Sequence, residues 1–313
     1  MSESRVYTRE ELLRERREGA VRAVVRAVGY ALMRERSAED VGRYLFEAYR
    51  NFGQYRRLGQ VEGVTRAAAF TAWHTEWRHG WCDQVEVTQN QRGYAVESAS
   101  MLVNHDQVLG FHGVTRMDME ACLETFWRLS GHALGLEVTY TVGDEKDWLL
   151  VRTTESSSKG VYPPLISEED LLERRRHAVA TGIISSIGYA KQYGDQPEDL
   201  GRFFFTVWDR SGHYDRLREG WGFGNALAYA QNLAQARQIL YSSTTLAEDL
   251  DGYTVTSPGW GTEIPEVMAI FRVQPHDVYR YFAGGGVAAC NRLGLQYADQ
   301  SDDRFHRIWI RSR

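Results

Sequence analysis

The stretch GYALMRERSAEDVGR, residues 29–43, decides how this chain is read, because GYAKQYGDQPEDLGR stands at residues 188–202. Gly29, Tyr30 and Ala31 recur as Gly188, Tyr189 and Ala190, an offset of 159 residues. The same offset carries Glu39, Asp40, Gly42 and Arg43 onto Glu198, Asp199, Gly201 and Arg202. Further out it carries Gly53, Tyr55, Arg57 and Leu58 onto Gly212, Tyr214, Arg216 and Leu217. Gly93-Tyr94 then falls on Gly252-Tyr253, and Gly135-Leu136 on Gly294-Leu295. One register held over such a span is the signature of an internal repeat. It implies a tandem duplication, with a first copy at residues 1–155, a linker at 156–165 and a second, diverged copy at 166–313. The linker SSSKGVYPPL has the Ser, Gly and Pro of a connecting segment.

Each copy reads as helices followed by strands. Leu12, Leu13, Ala20, Val24 and Val28 form the apolar stripe of a first helix over 9–35. Ser37 and Asp40 form a capping signal for a second helix that ends near Gly53. In the second copy Pro197 stands where an early helical turn tolerates it. A third helix is expected over 63–81 and again over 222–241. The period then changes to two. Tyr94, Val96 and Ser98 share one strand face, with Glu97 on the other. Leu136, Val138, Tyr140 and Val142 alternate likewise. Helices over 117–132 and 276–293 lie between these strands, closed by Gly135 and Gly294 as C-cap glycines. The fold class is α+β: a helical N-terminal part and an antiparallel sheet in each copy, the two copies packed as a pseudo-twofold pair.

Composition narrows the function classes. A chain that is 43% hydrophobic and 25% charged is ordinary globular material. Net charge is −5 and the pI is about 6.0, which argues against a general nucleic-acid binder. The basic run from Arg14 to Arg36 reads as a solvated helix face. Three cysteines without metal spacing, Cys82, Cys122 and Cys290, give no disulfide framework and fit a reducing cytoplasm. The N-terminus MSESRVYTREELL is too polar for a signal peptide, and no apolar run is long enough for a membrane helix.

Chemistry concentrates in AWHTEWRHGWC, residues 72–82. On a helix Phe70, Trp73, His74, Trp77 and Trp81 form one stripe at spacings of three and four. The offset replaces them with Tyr229, Asn232, Leu233, Ala236 and Leu240. Leucine at the position of His74 marks it as inward-facing. His74 is therefore either a hydrogen-bonded core histidine or a ligand-facing one in a pocket walled by Phe70, Trp73, Trp77 and Trp81. In the second case it is the acid/base candidate, with Tyr94 and Glu97 as polar companions. Glu76, His79 and Cys82 share a helix face but lack a fourth ligand and have no equivalent in the second copy, so no metal is expected. No cofactor motif is present either. Gly222-Phe223-Gly224-Asn225 opens a helix and lacks a preceding strand and the full dinucleotide fingerprint, so it reads as a plain loop, with an anion cradle of helix amides as the lesser alternative. Gly284, Gly285 and Gly286 lie inside a helix, where close approach by another backbone is the usual reason. Cys122 and Cys290 read as inert buried thiols.

The order of elements, with GYAVESAS at 93–100 and GYTVTSPGW at 252–260, resembles two families. One is the 4-vinyl reductase domain; the other is the L-2-amino-thiazoline-4-carboxylic acid hydrolase family. The resemblance implies a small-molecule-binding module or an enzyme that opens heterocyclic rings. Both families carry cysteines near the last helix and last strand; here Cys122 and Cys290 lie on the helices, and the strands WLLVRTT and RIWIRSR have none. The expected function is an enzyme acting on a small organic molecule, a cofactor-independent hydrolase or cyclase of specialised metabolism. The alternative is a non-catalytic small-molecule-binding or sensor protein. The expected partner is a small molecule, not nucleic acid or membrane, and the chain is a monomer or homodimer.

Overall fold

The computed structural model describes residues 6–154, 166–220, 225–302 and 304–313. The expected linker at 156–165 and the Gly222-Phe223-Gly224 segment lie outside the described residues. The chain is α+β and divides into two compact units. The first unit is residues 17–182; the second is residues 1–16 together with 183–313.

In the first unit α1 (Arg9–Met33, from residue 17 onward) leads to α2 (Ala38–Asn51), α3 (Gln54–Leu58) and α4 (Arg66–Arg78). Then come β1 (Val85–Asn90), β2 (Gly93–Ala99), α5 (Asp106–His112), α6 (Arg116–His132), β3 (Glu137–Val142) and β4 (Lys146–Arg152). The helix α7 (Glu168–Gln192) supplies its first part, up to Gly182. In the second unit the rest of α7 is followed by α8 (Pro197–Arg210), α9 (His213–Gly220) and α10 (Asn225–Leu240). Next are β5 (Thr245–Asp249), β6 (Gly252–Pro258), α11 (Trp260–Glu263), α12 (Pro265–Phe271), α13 (Pro275–Leu293), β7 (Leu295–Ser301) and β8 (Phe305–Ser312). The first eight residues of α1 belong to this unit.

Local chemistry sets the helix starts. Ser37 accepts from the amide of Asp40 while Asp40 accepts from that of Ser37, the capping box read from the sequence. Thr115 and Asp118 do the same for α6. Pro197 occupies the first turn of α8. The short helices α3, α5, α11 and α12 carry no readable sequence period, because one or two turns are too few to repeat it.

Among the described residues each unit has one four-stranded antiparallel sheet, in the order β1-β2-β4-β3 in the first and β5-β6-β8-β7 in the second. In the first sheet Tyr94, Val96, Ser98, Tyr140, Asp147, Leu149 and Val151 are buried. Glu97, Trp148 and Leu150 face the other way and are partly or fully exposed. Helix α4 packs on β2 and β4, α6 packs on β3, and α2 lies on α6. Burying a side chain such as Phe126 or Leu149 contributes about 1.5–3 kcal/mol.

Close helix crossings explain several glycines. A Cβ on Gly42 would overlap the carbonyl of Cys122, and one on Gly201 that of Tyr281. Those two positions are one offset apart, so α2 crosses α6 as α8 crosses α13. On α13 a Cβ at Gly284 would strike the backbone of Glu198, and one at Gly286 the ring of Tyr297. The glycines that weaken α13 as a helix are therefore what lets it approach its neighbours.

Candidate functional site

Helix α4 begins at Thr65, whose hydroxyl accepts from the amide of Ala68. From there Phe70, Trp73 and Trp77 project to one flank, and His74 and Arg78 towards the sheet. Phe70 and Trp73 are buried, Trp77 half-buried, and Trp81, just past the helix end, buried. These aromatics pack on one another and on α6. Trp73 lies 5.4 Å from Trp127, Trp77 lies 5.4 Å from Phe126 and 6.1 Å from Trp81, and Phe126 lies 4.6 Å from Trp127. Most of the contacts are edge-to-face or tilted, the arrangement that aromatic quadrupoles favour. Tyr49 and Tyr55 extend the block.

His74 sits at the edge of that block, 1% exposed, with its ring 4.5 Å from Trp127 and 6.1 Å from Tyr140. Neither ring nitrogen has a hydrogen-bond partner among the described residues. Burial first, and then the charge of Arg78, hold its pKa well below 6.5. The ring is therefore a neutral imidazole with one donor and one acceptor to offer.

One turn further on, Arg78 is 1% exposed and bound on several sides. Its Nε donates to Ser98 Oγ at 2.8 Å, Nη1 to the Tyr140 hydroxyl at 2.7 Å and Nη2 to Asp147 Oδ2 at 3.0 Å. Ser98 and Asp147 stand directly opposite each other across β2 and β4, and Tyr140 reaches them from β3. The Tyr140 hydroxyl donates to Asp147 Oδ2 at 3.4 Å, and the amide of Met101 donates to the same oxygen at 3.1 Å. Burial opposes the guanidinium's charge, but Tyr140, Cys82 and Asp147 raise its pKa above the ordinary value. Burial has the opposite effect on Tyr140, raising its pKa, so it stays a phenol. Asp147 Oδ1 and the indole N–H groups of Trp81 and Trp127 have no partner among the described residues.

The other expected site residues fall elsewhere. Tyr94 is buried on the inner sheet face, its hydroxyl without a partner among the described residues. It also borders a depression of about 520 Å³ at the strand ends, with Asn90, Arg92 and Arg152. None of Phe70, Trp73, His74, Trp77 and Trp81 lines that depression. Glu97 is on the outer face, bonded to Lys146 and, at 3.2 Å, to the indole of Trp148. Those bonds lower its pKa. The sheet thus separates Glu97 from His74 and Tyr94. Glu76 pairs with Arg174 at 3.7 Å, and Cys82 donates to the Ala99 carbonyl at 3.1 Å. No group of three or more potential metal ligands comes together among the described residues. Cys122 and Cys290 are free and buried, and burial pushes both thiols up to about 12.

Arg78, Ser98, Tyr140 and Asp147 are absent from the sequence-level candidates. The repeat held their signal: Arg78 and Ser98 are kept at the offset as Arg237 and Ser257, while Tyr140 and Asp147 both change, to Asp299 and His306. No protein-family model matches the chain, and neither does any curated protein or solved structure. Among the described residues no helix is long and apolar enough to cross a membrane.

Proposed function

We propose that the first unit is a small-molecule-binding module, non-catalytic, which takes a planar organic ligand at the polar layer between α4 and the sheet. The observation that carries this reading is His74, a neutral imidazole 1% exposed with both nitrogens unpartnered among the described residues. An unpaired buried donor or acceptor costs about 1–3 kcal/mol. His74 touches Trp127, whose indole N–H is also unpartnered among the described residues, and Trp81, Tyr94 and Asp147 add further such groups within the same unit. Groups of this kind are normally satisfied by ordered water or by a ligand. A ligand with a donor and an acceptor on one edge would satisfy His74, and its ring face would lie against Trp127.

The hydrolase or cyclase reading rests on the bonded Arg78–Tyr140–Asp147 set, which could hold a substrate oxygen near His74. It is the weaker reading, because a base of such low pKa is feeble and Glu97 lies across the sheet. We also infer a gene duplication, supported by the matching sheet orders and the single offset.

The test is native mass spectrometry of the purified protein, followed by a thermal-shift screen of planar heterocycles on wild type and His74→Leu. A hit that stabilises wild type and not the variant, with no turnover, supports the reading. Hits that bind both proteins equally refute it, and turnover lost in the variant replaces it with the enzyme.

A further inference from the structure

The second unit holds the counterpart of Arg78 in a different chemical setting. Arg237 is 1% exposed and His306, in the place of Asp147, is wholly buried. The guanidinium donates through Nη2 to Nδ1 of His306. Since Nδ1 accepts, Nε2 carries the ring proton. It lies 3.8 Å from Asp299 Oδ2, beyond hydrogen-bond reach. Burial, and then the charge of Arg237, push the His306 pKa down to about 4 against the opposing pull of the Asp299 carboxylate. His306 therefore offers Arg237 a lone pair and no charge. Asp299 stands on the Nε2 side of the imidazole, away from the nitrogen that faces Arg237. Arg237 Nε and Nη1 have no partner among the described residues. Ser257, whose counterpart accepts from Arg78, is turned to Thr244 at 3.2 Å.

The surroundings changed with the charge. Cys82, Met101 and Leu123 of the first unit become Tyr241, Trp260 and Phe282. The guanidinium carbon is 5.0 Å from the centre of the Tyr241 ring and 5.6 Å from that of Phe282. Trp260 stacks on Phe282 at 6.1 Å and donates its indole N–H to the Tyr241 hydroxyl. Phe282 is only partly buried, so this aromatic wall reaches the surface. A guanidinium fork matches a carboxylate in two parallel bonds. Ring faces match an apolar, flat body.

We propose that the second unit carries its own binding site, for the carboxylate of a small aromatic acid, with Arg237 and His306 at its floor and Tyr241, Trp260 and Phe282 as walls. The acid supplies the negative charge that Asp147 supplies in the first unit. This site stands independently of the ligand proposed there.

Isothermal titration calorimetry on the full-length protein tests it, with sodium benzoate, the neutral isostere benzamide and inorganic phosphate as probes. Benzoate is expected to bind with one-to-one stoichiometry, at least about tenfold tighter than benzamide, as a charged hydrogen bond warrants. Phosphate is expected not to displace it. Arg237→Met should abolish binding. Because that variant also removes the buried hydrogen bond to His306, D299Y/H306D is the second arm. It sets the first unit's phenol and carboxylate against Arg237, and should raise the Tm without ligand while abolishing benzoate binding. Benzoate binding no tighter than benzamide, or undiminished in D299Y/H306D, overturns the proposal. Displacement by phosphate overturns the carboxylate assignment. A guanidinium satisfied by its ring faces alone predicts no benzoate binding and no Tm gain in D299Y/H306D, and that result overturns the proposal too.

Discussion

Replacing Asp147 by Ala leaves Arg78 charged and buried with only Ser98 and Tyr140 against it. Both partners of the pair are at most 1% exposed. Removing one member of such a pair costs about 3–5 kcal/mol, mainly through the charge left uncompensated. The amide of Met101 loses its acceptor as well, a further buried group without a partner. Together these place the loss at about 4 kcal/mol or slightly more, a large part of the about 5–15 kcal/mol that a domain has. At about 2–4 °C per kcal/mol for a unit of this size, the first unit should melt about 8–16 °C lower. Differential scanning calorimetry reads this directly, and resolves the units if they melt separately. The double variant R78M/D147L should lose less than D147A, because no charge remains buried. A D147A loss under about 1 kcal/mol, or an R78M/D147L loss equal to the sum of the two single changes, would refute the reasoning.

Three more outcomes follow from the packing and the buried histidines. Gly42→Ala and Gly201→Ala should each destabilise by about 1–3 kcal/mol, read as a urea midpoint, since a methyl must enter a backbone crossing in both units; a neutral change at either would mean that the crossing yields. His74 and His306 are held neutral when folded and protonate near 6.5 when unfolded. The unfolded chain then binds more protons below pH 6.5, so stability falls as pH drops through that range, by up to about 1.4 kcal/mol per pH unit for each histidine. His74→Leu should remove one such slope between pH 6.5 and 5, and an unchanged slope in urea titrations counts against a buried neutral His74.

The elements were legible because their signals are local. Ser37 and Asp40 sit three apart and cap a helix wherever they fall, and Tyr94, Val96 and Ser98 alternate before any partner strand is known. The inward placement of His74 was legible too, from Leu233 one offset away. The polar layer was not. Arg78 reads as one more charge in a helix, and Asp147 as the polar start of KDWLLVR. Only the sheet register sets Ser98 opposite Asp147 and brings both under Arg78. Glu97 has the opposite lesson: the alternation already set it on the face away from Tyr94 and Ser98, and nearness in sequence to Tyr94 was not enough to make it part of their site. Periodicity also says nothing of which sheet a long helix serves, so the division of α1 and α7 within their own lengths was invisible.

That division gives the molecule a property its sequence repeat conceals. Gly80 is pressed against Ala178, Gly182 against Ala23, and Arg175 bonds Asp83, so the first unit needs chain from beyond residue 165. Tyr7 and Arg16 bond Gln238, so the second unit needs the start of the chain. Cut at the repeat boundary, each half would lack a helical piece that only the other half carries. The two fragments are built for complementation: neither is a whole domain, and mixed together they hold every part of both.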